Sequence, residues 1–149
     1  MIGPMLTVLI RYLHFFAIFG LVGALIIQNM AIKEAISKED VRNLAKVNVV
    51  YGLCVILTFL CGLVLWLWLD KPRAFYSGNP LFLIKLGLFA FIVLLSICPT
   101  IFFVKNQNSI AESIIVPKTV RLAMKTELIL LPIIAVLAYL MARGIGLDL

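Results

Sequence analysis

PLFLIKLGLFAFIVLLSICPTIFFV, residues Pro80 to Val104, is apolar for longer than the ~20 residues a helix needs to cross the hydrocarbon core of a bilayer. Its one charge, Lys85, is costly in such surroundings unless something pairs with it or uses it. Outward from this stretch lie three more of the same kind: Leu13 to Ile32, Val47 to Leu69 and Val120 to Met141. Hydrophobic residues make up 64% of the 149-residue chain and charged residues only 13%, a balance that no soluble domain of this size can cover with polar surface. Backbone groups in lipid must be satisfied within each segment, and strict apolar–polar alternation is absent, so helices are expected rather than barrel strands. The sequence predicts an all-α integral four-helix bundle, one membrane domain over residues 1–149, with spans at about 5–32, 47–69, 80–104 and 120–142. The first span is expected to begin near Pro4. It is too long, and lacks the preceding basic cluster, to read as a removable signal peptide.

The connecting segments are short, so the function is expected to reside in the bundle or its partners. Lys33, Lys38, Arg42, Lys46, Lys105, Lys118 and Arg121 fall on one side, against Arg11, Lys71, Arg73 and Arg143 on the other. The positive-inside rule then places both termini on the non-cytoplasmic side of a cytoplasmic membrane. The net charge of +6 reflects this topology and an attraction to anionic headgroups. The basic residues are dispersed and form no recognition module, so nucleic acid is not an expected partner. The expected surroundings are the lipid bilayer, with self-association or a membrane-protein partner.

Polar positions mark the inward faces, because lipid-facing surface has no use for hydrogen-bonding groups. Asn48, Tyr51, Val55, Thr58, Gly62 and Trp66 form one stripe of the second helix, and His14, Ala17, Leu21, Ala24 and Gln28 one face of the first. Gly20 with Ala24, and Thr58 with Gly62, are small-xxx-small pairs that offer surfaces for self-association. Trp66, Trp68, Phe75 and Tyr76 read as an interfacial aromatic belt, and Asp70 is placed to meet a cation.

His14, the chain's one histidine, and Lys85 fall in the same halves of their helices, with Arg11 one turn outward from His14, so the three are candidate lining of one pocket. A neutral imidazole can ligate haem iron, and cations can pair with propionates. The plainer readings are a hydrogen-bonded packing histidine and a lysine that snorkels to the interface. Glu127 forms a second constellation with Asn48 and Tyr51 at its depth and Arg121 and Lys125 before it, read as structural pairing or a proton entry point. Pro99 is expected to interrupt the third span and Pro132 to kink the fourth. Cys54 and Cys61 read as lying opposite the Asn48 stripe. No metal-site spacing, phosphate loop or nucleophile elbow is present.

The run AFYSGNPLFLIKLGLFAFIVLLSICPTIFF (Ala74 to Phe103), with RYLHFF near the start, VVYG at Val49 to Gly52 and LMARG at Leu140 to Gly144, resembles the bacterial family called domain of unknown function 2214. That resemblance implies a four-helix integral membrane protein without an established activity. The first-helix histidine and third-helix Lys-Leu pair are also similar to the HemJ-type protoporphyrinogen oxidases and the related copper-resistance (CopD-like) membrane proteins. That similarity implies haem b as cofactor, His14 as ligand to the haem iron and Lys85 as substrate or propionate partner. Where the HemJ pattern has a second histidine about eleven residues beyond the lysine, this chain has Ser96, and the tryptophan-rich signature is incomplete. The expected function is a haem-associated redox or haem-handling role, and the rival is a non-enzymatic accessory subunit or a small oligomeric transporter component.

Overall fold

In the computed structural model, residues 2–146 are described. Helix α1 spans Ile2–Ala31, α2 Lys38–Val64, α4 Pro80–Asn106 and α5 Lys118–Ala142. A π-turn over Leu65–Leu69 extends α2, and a short helix, α3, occupies Arg73–Ser77. Four helices are thus long and apolar enough to cross a membrane, and the fold is an all-α four-helix membrane bundle. Helix α1 packs along α2 and α4 along α5; the two pairs meet along α2–α4 and α1–α5, which leaves α1 and α4 across the diagonal.

Helix α2 starts nine residues before its expected apolar boundary. Ser37 accepts a hydrogen bond from the Asp40 backbone N–H at 3.1 Å, and Glu39 and Asp40 complement the dipole of the first turn. Val41, Leu44 and Ala45 recur at helical spacing and bury one face, so the extension is amphipathic rather than lipid-facing. At the start of α4, the Asn79 side chain accepts from the Leu81 N–H at 2.9 Å and donates to the Ile145 carbonyl at 3.1 Å, fastening the end of the chain to the helix start. Pro80 occupies the first turn, where its missing N–H costs nothing.

Helix α4 runs without interruption through Pro99 to Asn106, correcting the predicted break; Pro99 is buried among neighbouring helices, the setting in which membrane helices tolerate the lost hydrogen bond. Pro132 also lies inside a continuous helix, α5.

The sequence reading contained no strands, yet Ala35–Ser37 (β1) and Ser113–Ile115 (β2) pair antiparallel, Ile36 opposite Ile114. The ladder continues through Val116 N–H to the Glu34 carbonyl at 2.9 Å. Ile36 and Ile114 close over Val41, Leu44, Phe103, Val120 and Met124, capping one end of the bundle, here called the clasp end. A middle cluster comprises Leu21, Ala24, Leu25, Tyr51 and Val55, and a third, at the far end, joins Tyr76, Phe82 and Met141 with Trp66.

Candidate functional site

At the far end, the His14 ring lies against Gly62. A Cβ on Gly62 would stand 3.2 Å from the imidazole Cε1, so the glycine makes room for the ring. Lys85 belongs to α4, across the diagonal from α1, near the same end of the bundle. Three buried polar atoms here have no hydrogen-bond partner: His14 Nδ1, Thr58 Oγ1 and Trp66 Nε1. Lys85 makes no ion pair among the described residues; its ammonium stands 5.8 Å from the centre of the Phe82 ring, which in turn packs on Trp66 at 4.9 Å. Unpaired polar groups are expensive in such surroundings, so their collection at one end of the bundle marks this cluster as the candidate site.

Arg11 is not part of it. Its guanidinium pairs with Asp70 at 2.8 Å, and Asp70 also accepts from the Tyr76 hydroxyl. Burial, with the Asp70 hydrogen bond and charge added, holds the Tyr76 phenol well above its ordinary range. Thr7 Oγ1, whose one proton faces the Gly3 carbonyl at 2.8 Å, lies 3.1 Å from the Leu69 carbonyl where α1 meets the π-turn. Of the expected aromatic belt, Trp68 faces outward, whereas Tyr76 is buried and hydrogen-bonded.

Toward the clasp end lies a second polar cluster drawn from all four long helices. Gln28 Nε2 donates to Asn48 Oδ1 at 3.1 Å, and Asn48 Nδ2 to Thr100 Oγ1 at 3.0 Å. One turn along α2, the Tyr51 hydroxyl donates to Glu127 Oε2 at 2.7 Å. Tyr51 is thus the hydrogen-bond partner of Glu127, while Asn48 bonds to Gln28 and Thr100; Glu127 meets neither Arg121, which pairs with Glu34 at 3.3 Å, nor the exposed Lys125. Thr100 is the member that the sequence reading missed; its place beside the buried Pro99, one turn beyond Ser96 on α4, was the available signal.

The small-residue pairs do not present free surfaces for self-association. Gly20 faces Cys54, where an added Cβ would come within 2.6 Å of the Sγ, and Gly62 faces His14. Both serve the α1–α2 contact, which corrects the placement of Cys54: its sulfur points at α1 rather than away from the packed stripe. Among the described residues, no group of three or more His, Cys, Asp or Glu side chains is arranged to hold a metal ion.

The family model described as "Predicted membrane protein (DUF2214)" matches residues 6–146. The chain belongs to this family. No curated protein and no solved structure matches the chain. The DUF2214 assignment covers both polar clusters and the clasp that joins the loops.

For haem, the donor chemistry is present: one unengaged imidazole nitrogen and one ammonium without a carboxylate. A shallow apolar groove lies on α1 between Pro4, Met5, Val8, Leu9 and Tyr12, and His14 is not among its lining residues.

Proposed function

We propose that this chain is a haem-handling protein of a bacterial cytoplasmic membrane, with both termini on the non-cytoplasmic side, in which His14 would hold the iron of haem b. The observation that carries the reading is the buried His14 Nδ1 without a partner, at the same end of the bundle as an ammonium that makes no ion pair. Lys85 serves as the electrostatic partner of a propionate, while Arg11, committed to Asp70, acts on the position of α1 rather than on the ligand. When bound, haem supplies one-electron redox chemistry; the chain's own residues orient and charge-balance it.

The purified full chain, as isolated or after incubation with haem, is expected to show a Soret band that is lost in His14→Ala and weakened in Lys85→Gln. A colourless preparation that cannot be reconstituted would overturn the proposal. The rival reading, an accessory subunit, predicts that same colourless protein together with a stoichiometric membrane partner.

A further inference from the structure

Glu127 is 1% exposed, on the inward face of α5 that also buries Ala123 and Met124. One carboxyl oxygen, Oε2, accepts from the Tyr51 hydroxyl at 2.7 Å, while the other, Oε1, is buried and has no partner. The ion pairs among the described residues are Arg11–Asp70 and Arg121–Glu34, so no basic group lies within 4.0 Å of this carboxyl. An ionised carboxylate so placed would carry a charge deep in a membrane bundle with one hydrogen bond and no cation. A proton on Oε1 removes that charge and leaves the Tyr51 bond intact.

We propose that Glu127 is a proton-exchange site: its carboxyl takes up and releases one proton inside the bundle, with Tyr51 as the positioning residue. The site is separate from the His14 cluster and does not depend on haem. Tyr51 is the titratable group that faces it from α2. Helices α1 and α4 bring neutral groups to this level, Gln28 and Asn29 from the one and Ser96 and Thr100 from the other. On α5 itself, Arg121 is turned to Glu34 and Lys125 is exposed. The carboxyl thus titrates against no neighbouring fixed charge.

The surroundings of the carboxyl differ toward the two ends of the bundle. Toward the clasp end, one turn along α2, the hydrogen-bonded row Gln28–Asn48–Thr100 spans three helices and offers polar atoms on the way to the loops. Toward the far end, Leu21, Leu25 and Val55, with Phe89, Val93, Leu128 and Leu131, form an apolar layer before the next polar side chains, Thr58 and His14. Beyond that polar row, Val41, Leu44, Phe103, Val120 and Met124 stand before the loops, so apolar clusters flank Glu127 toward both ends.

The full chain in vesicles of phosphatidylethanolamine and phosphatidylglycerol can be followed by infrared difference spectroscopy between acidic and alkaline buffer, with the Glu127→Gln spectrum subtracted to remove the other carboxyls. The expected result is a carboxylic-acid C=O band in acid that disappears in alkali, is lost in Glu127→Gln, and shifts in Tyr51→Phe, which removes the hydrogen bond but keeps the acid. A band missing at both extremes, or persisting in alkali, would overturn the proposal. If Glu127→Gln does not assemble, dicyclohexylcarbodiimide supplies the measurement on the unaltered chain, because it adds to protonated carboxyls in apolar surroundings. Labelling of Glu127 in acid and not in alkali supports exchange; no labelling in acid, or equal labelling at both, refutes it.

Discussion

At Gly20 and Gly62 the absence of a side chain sets how closely two helices approach. An alanine at Gly20 would place its Cβ 2.6 Å from Cys54 Sγ, forcing a rotamer change or a helix shift at a cost of about 1 kcal/mol or more. Gly20→Ala is therefore expected to lower the unfolding temperature in detergent, and Cys54→Ala in the same chain to restore most of the loss; no recovery would mean that α1 and α2 do not meet at this level. Tyr51→Phe leaves both Glu127 oxygens without a donor and is expected to cost about 1–2 kcal/mol by the same measurement. These inward residues were legible because Asn48, Tyr51, Thr58 and Glu127 stand out against apolar neighbours at helical spacing. The use of Gly20 and Gly62 was not, since a small-xxx-small pair looks the same whether the helix it receives is its own neighbour or another copy.

Between elements, the far end is held by polar contacts among α1, the residues that follow the π-turn, and α3. Arg11 is half exposed, its side chain at 50%, so solvent screens its pair with Asp70 and Arg11→Ala is expected to cost less than about 1 kcal/mol. Asp70→Ala should cost more, because it also strips the acceptor from the buried Tyr76 hydroxyl. The Tyr76 phenol is held above its ordinary value of 10.0, so unfolding frees it to lose its proton at lower pH than folding allows. That contribution is whole at neutral pH and declines as pH rises beyond about 10. Alkaline denaturation curves of wild type and Tyr76→Phe should separate below this pH and converge above it. The early start of α2 was readable in Ser37-x-x-Asp40 and the spacing of Val41, Leu44 and Ala45, but apolar length alone hid it.

Across the whole molecule, apolar side chains cover the outside. Phe16 and Phe19 are 74% and 73% exposed, and Ile129 is 66% exposed, whereas Leu21, Ile92 and Met124 are buried. In a bilayer the first three positions are expected to take a photoreactive lipid probe and the last three to escape it, read by mass spectrometry of peptides. Uniform labelling would mean that the bundle does not hold this arrangement in lipid. The four spans could be recognised from hydropathy because length and composition are local properties. The pairing of Ile36 with Ile114 left no such trace: each strand is three residues long, and what aligns them is the packing of helices between. Ile36→Ala, which thins the cover over the clasp-end cluster, is expected to cost about 2 kcal/mol or more in thermal unfolding.

This pairing also bears on how the chain is made. During synthesis the first two spans enter the membrane with Ala35–Ser37 unpartnered, because Ser113–Ile115 has not yet left the ribosome. The ladder forms only after the third span has been inserted, so a truncated product ending in that span would display an unpaired edge, the kind of surface that quality-control proteases and other nascent chains encounter first.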